Sequence, residues 1–244
     1  PINRSCNQSN PDLGLALGQE KFSIYSRYRG ESHASSLINS VLDGDPYRIR
    51  GLIVHGASLL TSWPQTPLWR ETLSKLDFLV CIDRQLTADS AYADLVLPAT
   101  TGFEIESYMV YGPIFRLRHK VVEPVGEARN DYLIMAELAA RLGYGEIYPQ
   151  TEDELIRFAL EGSGYTLEDV NAAGGWVKLP TPMMDYRKWE KGGLRSDGEP
   201  GFDTPTGKFE IWSTVLEDDG YEPLPKYVEP TEGPLASPEL VQRF

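Results

Sequence analysis

At 244 residues the chain has room for one large domain or two small ones, and 41% hydrophobic with 24% charged residues is an ordinary globular composition. A formal net charge of -13 argues against a general nucleic-acid binder, which needs a basic face to displace counterions, and against docking on anionic lipid. Cys6 and Cys81 are too few for a disulfide framework or for an iron–sulfur cluster, which takes about four thiolates, and no apolar run approaches the roughly 20 residues that span a bilayer.

The chain opens at Pro1 on a polar stretch with neither an initiator Met nor a hydrophobic leader. It therefore reads as processed or excised from something longer, and its compartment stays open. Residues 1–36 look irregular, with Phe22-Ser23-Ile24-Tyr25 as a candidate short strand. Leu37, Ile38, Val41 and Leu42 recur at helical spacing, Gly44 suits the C-terminal cap, and Pro46 follows the stop. Leu52-Ile53-Val54 reads as a strand that breaks into the tight loop His55-Gly56-Ala57-Ser58. Pro64 and Pro67 open a helix with Leu68, Trp69, Leu73 and Leu76 on one face. Phe78 to Ile82 is a second apolar run, stopped by Asp83, and Leu95-Val96-Leu97 is a third, stopped by Pro98. Strand, helix and strand in this order make a βαβ unit with parallel strands.

Residues 99–118 carry mixed signals, and the alternation in Arg116-Leu117-Arg118-His119 suits a strand as well as a loop. Asn130 or Asp131 caps a helix that faces a core with Leu133, Ala136 and Ala140 and ends at Gly143. Thr151 to Glu154 has capping-box spacing, followed by Leu155, Phe158 and Ala159, and Thr166 to Asp169 suggests one more short helix. From Leu179 to Gly201 the composition turns to Pro, Gly and charge, which predicts a long loop or linker. Phe202 to Trp212 reads as a turn feeding an alternating strand, and the tail from Asp218 as an extended connector. The expected fold is α/β: a Rossmann-like parallel sheet flanked by helices, incomplete, with a C-terminal extended or β-hairpin segment. Residues 1–36 form an irregular N-terminal segment, 37–178 the α/β dinucleotide-binding domain, and 179–244 a linker and hairpin.

Ligands of open α/β sheets lie at the carboxyl edge of the strands, which points to two loops. In the first, Gly56, Ala57 and Ser58 let backbone N–H groups approach a phosphate or sugar, although a plain tight turn is the commoner use of such a loop. In the second, Asp83 is joined by Thr87. A carboxylate can accept side by side from guanine N1–H and the exocyclic amine, which adenine does not offer. Asp is equally at home capping a turn. Arg84 reads as solvent-exposed, Asp94 as a satisfied turn or cap residue, and Cys81 as inert core. Glu104 and Glu106 have no partner visible in the sequence, and His33, His55 and His119 share no metal-site spacing.

Three strings in this order resemble one family. Asp83 to Ala99, with Ala93-Asp94-Leu95-Val96-Leu97-Pro98 at its end and Glu104 beyond, resembles the molybdopterin oxidoreductases of the dimethyl-sulfoxide-reductase family. Thr204, Pro205, Gly207, Lys208, Phe209 and Glu210 match a second family string, and His55 to Ser58 stands at a third. Ser58 and Leu59 replace the Asn and Pro usual there, and the Asn usual before Arg116 is absent, with Tyr111 near its place. The resemblance runs from about Leu37 to Pro225.

That resemblance implies the central segment of a molybdenum or tungsten oxidoreductase catalytic subunit. It implies a bis(molybdopterin guanine dinucleotide) cofactor, with Gly56, Ala57, Ser58, Asp83 and Thr87 binding one guanosine half. It also implies electron transfer, further N- and C-terminal domains of the same subunit, and an iron–sulfur partner subunit. No catalytic residue or metal ligand is expected within the chain, which by itself should be inactive. Two alternatives remain open: a non-catalytic counterpart such as the large iron–sulfur subunit of respiratory NADH dehydrogenase, and a free-standing nucleotide-binding module.

Overall fold

Leu37–Leu42 forms a helix, α1, that buries Ile38 and Val41, and Gly44 leaves it at φ +75, a left-handed conformation that favours glycine. Strand β1 (Gly51–His55) follows, then a one-turn helix α2 (Leu59–Ser62) and the longer α3 (Thr66–Lys75), which has Pro67 in its first turn and buries Trp69 and Leu73. Strand β2 (Phe78–Asp83) is continuously apolar up to its terminal acid because it is central, with β1 on one side and β3 (Leu95–Pro98) on the other. Both pairings are parallel, and the register sets His55 beside Ile82 and Asp83 beside Pro98. This computed structural model describes residues 16–25, 32–180 and 186–241.

Alternation along the strands gives the sheet two faces. Val54, Leu79 and Cys81 pack with Leu52 and Val96 against Ile38, Leu59, Leu60, Trp69 and Leu73, which makes the main core. The opposite face carries Val80 and Ile82, with Leu97 and Ile134 of α4 (Asp131–Arg141) packed against them. It is only partly covered. Ile53, Phe78 and Leu95 remain 40%, 51% and 44% exposed, and the groove between this face and α4 encloses about 910 Å³.

A second sheet, not delineated by the sequence, follows the first. Strands β4 (Ser107–Tyr111) and β5 (Ile114–Arg118) pair antiparallel around the two-residue turn Gly112-Pro113, with Gly112 at φ +55. The three-residue β6 (Trp176–Lys178) adds to β5. Phe115, Leu117 and Val177 bury against Ile156, Ala159 and Leu160 of α5 (Glu152–Leu160) and Leu167 and Val170 of α6 (Leu167–Ala172). The predicted caps form: Asn130 Oδ1 accepts from Tyr132 N–H, Thr151 from Glu154 N–H, and Thr166 and Asp169 complete a reciprocal capping box. Glu154 reaches back one residue further than expected and accepts from Gln150 N–H.

Two local expectations are corrected. Residues 23–25 are helical rather than extended; Phe22 N–H already closes onto the Gly18 carbonyl and its ring stacks on His33 at 3.8 Å. Residues 202–212 form the turn, with Phe202 N–H on the Gly207 carbonyl, but no strand or β-hairpin. Their polar groups are spent locally. Glu210 accepts from Thr206 and from Thr214, the first residue of α7 (Thr214–Asp218), while Phe209 and Ile211 stay exposed. A last short helix, α8, is Pro238–Val241. The chain divides into two compact units, Pro1–Pro182 and Met183–Phe244; both sheets belong to the first.

Candidate functional site

The parallel register brings the loop after β1 and the loop after β2 to one edge of the sheet, side by side. Gly56 N–H donates to the Ile82 carbonyl at 3.4 Å, and one strand further Ala99 N–H donates to the Asp83 carbonyl at 3.1 Å. Gly56 sits at φ +57 with open space where a Cβ would project, so glycine is required by the backbone angle and not by crowding. Ser58 is extended at the N-cap of α2, but its hydroxyl does not cap the helix; Oγ accepts from Thr61 Oγ1 at 2.6 Å. Ala57 and Ser58 N–H find no protein acceptor among the described residues.

Asp83 is half-buried at the end of β2. Its Oδ1 accepts from Arg84 N–H at 2.7 Å and from Gln85 N–H at 3.3 Å, the turn-capping geometry, while Oδ2 carries no hydrogen-bond partner among the described residues. Turn cap and ligand acceptor are therefore compatible roles, one for each oxygen. Thr87 lies four residues on. Its hydroxyl accepts from Ser90 N–H at 3.4 Å and its carbonyl from Ser90 Oγ at 2.7 Å, so it shapes the loop and does not touch Asp83. Arg84 is exposed, as expected.

The remaining acids and histidines singled out from the sequence have structural partners. Asp94 Oδ2 accepts from Leu79 N–H at 2.8 Å, and Asp94 N–H returns a bond to the Leu79 carbonyl, locking the start of β3 to β2. Glu104 does have partners: it accepts from Thr101 N–H at 2.6 Å, Thr101 Oγ1 at 2.8 Å and Val125 N–H at 3.1 Å, which hold its carboxyl below the usual range. Glu106 accepts from Lys120 N–H and contacts His119 Nδ1 at 3.1 Å. His55 Nε2 meets Asp131 Oδ2 at 2.7 Å. Burial, followed by the charges of Asp89 and Asp83, pushes the Cys81 thiol up, in keeping with an inert core cysteine. Cys6 lies outside the described residues. No cluster of three His, Cys, Asp or Glu side chains able to hold a metal occurs among the described residues.

One residue that sequence reasoning missed is central. Asp89 is fully buried, and its two carboxylate oxygens accept from Leu59 N–H at 2.6 Å and Leu60 N–H at 2.9 Å. It caps α2 from thirty residues away, a distance at which no spacing rule signals a cap.

Residues 32–141 match the family model described as molybdopterin oxidoreductase. Acetylene hydratase of Syntrophotalea acetylenica is 29% identical over 218 residues, covering 87% of this chain and 28% of that protein. The thiosulfate reductase molybdopterin-containing subunit of Salmonella typhimurium is 28% identical, over 82% of this chain and 28% of the relative. A dimethyl sulfoxide/trimethylamine N-oxide reductase of Cereibacter sphaeroides is 36% identical over 65% of the chain and 21% of its own length. Among solved structures, the acetylene hydratase from Pelobacter acetylenicus superposes with a TM-score of 0.71 at 27% identity, covering 88% of this chain and 28% of that one. The chain thus spans about a quarter to a third of the length of the first relatives it matches. Motif order, matched region and fold agree: residues 32–141 match the molybdopterin oxidoreductase family, and the chain as a whole is similar to enzymes of that family.

Proposed function

We propose that this chain is the central segment of a molybdenum or tungsten oxidoreductase catalytic subunit, and that its parallel sheet supplies the half-site for the guanosine end of a molybdopterin guanine dinucleotide. The match to that family implies a molybdenum or tungsten molybdopterin cofactor, which supplies the redox chemistry when bound. The residues of this chain bind and orient it. Asp83, whose Oδ2 meets no donor among the described residues at the carboxyl edge of β2, carries the reading: it is an acceptor suited to the paired donors of guanine. Gly56, Ala57 and Ser58 follow the neighbouring strand's end, where two N–H groups left unspent among the described residues suit the sugar-phosphate. Thr87 holds the intervening loop.

The proposal extends to organisation. Residues 37–178 act as the dinucleotide-binding domain, preceded by an irregular segment at 1–36; the boundary between compact units after Pro182 supports a change of role near residue 179. Metal ligation is assigned to sequence outside these 244 residues, and electron exchange to an iron–sulfur partner subunit.

Asp83→Asn and Asp83→Ala in the full-length catalytic subunit test the reading. Hydrogen bonds to a charged group are worth about 1.5–3 kcal/mol, roughly a tenfold to hundredfold loss of affinity. Asp83→Asn keeps Oδ1 for the turn but sets an amide donor where guanine also donates. The expected outcome is a folded enzyme that releases far less guanine nucleotide on denaturation than wild type does. Wild-type nucleotide content in Asp83→Asn would leave Asp83 a turn cap and end the guanosine reading.

A further inference from the structure

A buried carboxylate is costly unless its charge is answered, and Asp89 has no Lys, Arg or His partner among the described residues. Backbone answers it instead. Leu59 and Leu60 are the first two residues of α2, and their N–H groups are donors that a helix leaves unsatisfied. The one-turn helix cannot offer these donors to a ligand, because Asp89 already occupies them. Gly56 N–H is likewise spent, on the Ile82 carbonyl. Ala57 and Ser58 are thereby bracketed, with a fixed peptide on each side, and their N–H groups are the only ones of the loop left unspent among the described residues.

Asp89 also joins two loops. It opens the 3₁₀ turn Asp89–Tyr92 at the far end of the segment that Asp83 begins. Asp83 anchors that segment at β2 through Arg84 and Gln85 N–H, and Asp89 anchors it at α2. The base-reading loop and the glycine loop are thus held to each other by one side chain that faces neither solvent nor a ligand.

We propose that Asp89 is the positioning residue of the half-site: it fixes the Ala57-Ser58 window relative to Asp83 and so sets how firmly the nucleotide end of the cofactor is held. This rests on the guanosine reading and adds to it a residue that acts through the loop. It predicts that loosening the loop and losing the nucleotide go together, while the sheet stays intact.

The test uses the full-length catalytic subunit with Asp89→Ala and Asp89→Asn. Three quantities are read: amide exchange in residues 56–60 against residues 79–82, guanine nucleotide released on denaturation, and the thermal midpoint. For Asp89→Ala we expect exchange at 56–60 to rise by about tenfold or more, equivalent to about 1.4 kcal/mol, with 79–82 protected as in wild type and nucleotide content depleted. Asp89→Asn retains one acceptor and should fall between; it carries the comparison if the alanine variant does not fold. Exchange that rises equally in 56–60 and 79–82 marks a general fold defect and overturns the proposal. So does a loosened loop with wild-type nucleotide content, or an unchanged loop. A wild-type enzyme without guanine nucleotide overturns the guanosine reading and this inference together, whereas nucleotide retained by Asp89→Ala and lost by Asp83→Asn overturns this inference alone.

Discussion

At the scale of single residues, the site divides into what side chains announce and what backbone conceals. Gly56 and Asp83 are visible in the sequence because each stands at a break between an apolar run and a polar loop. Asp89 and Glu104 are not, because their partners are backbone N–H groups, which every residue type supplies. Glu104 looks partnerless in sequence for that reason alone. Thr100 is the converse case. Its N–H donates to the Arg129 carbonyl, yet its hydroxyl is buried without a partner among the described residues. An unsatisfied buried polar group costs about 1–3 kcal/mol, and replacing it by an apolar group of the same shape can stabilise. Thr100→Val should therefore unfold at the same temperature as wild type or a few degrees higher. A lower midpoint in thermal denaturation would mean that the hydroxyl is hydrogen-bonded in solution.

At the scale of elements, the first sheet was legible and the second was not. Strands β1 to β3 are short apolar runs bounded by loops, and their order follows from the βαβ rule. Strands β4 to β6 mix Ser, Tyr, Arg and Lys with apolar residues, and β6 is three residues long and pairs with β5 across nearly sixty residues of sequence. Only the tertiary partner makes it a strand. The helices that cover this sheet were better signalled, since Thr151 and Thr166 mark both starts. They are also tied together. Arg157 of α5 donates to both carboxylate oxygens of Glu168 at the start of α6, at 2.7 and 3.1 Å, and to Asp153 at 2.7 Å. The Arg157 hydrogen bonds, with smaller help from backbone and charge, hold Glu168 down at about 2. A depressed carboxylate contributes stability above its ordinary pKa, near 4.5, and loses it as the pH falls towards 2. Glu168→Gln should lower the thermal midpoint near pH 6, and its difference from wild type should shrink between about pH 4.5 and 2. Both side chains are largely exposed, so solvent screening keeps the effect small. A difference that stays constant with pH would show that the pair contributes nothing through its charge.

At the scale of the whole molecule, the parallel sheet has one finished face and one unfinished face. Sheets of this kind normally carry helices on both sides. Here α1, α2 and α3 complete the first face. On the second, α4 covers Ile82 and Leu97 but leaves Ile53, Phe78 and Leu95 exposed along the groove. Exposed apolar surface of this kind marks an interaction site or an aggregation liability. The chain spans 28% of the length of acetylene hydratase, so a longer polypeptide offers a natural source of cover. Studied as these 244 residues, the protein should bind a hydrophobic dye and self-associate in a concentration-dependent way. Ile53 lies on one edge strand and Leu95 on the other, and charges on edge strands oppose pairing with a second chain. The double substitution Ile53→Lys and Leu95→Lys should reduce dye binding and shift sedimentation towards monomer. Both side chains are already two-fifths or more exposed, so the main core on the far face should be undisturbed and the thermal midpoint should move by only a few degrees. A wild-type chain that sediments as monomer at all concentrations, with no dye signal, would show that this face is not sticky and that its exposed apolar side chains find cover within the chain itself.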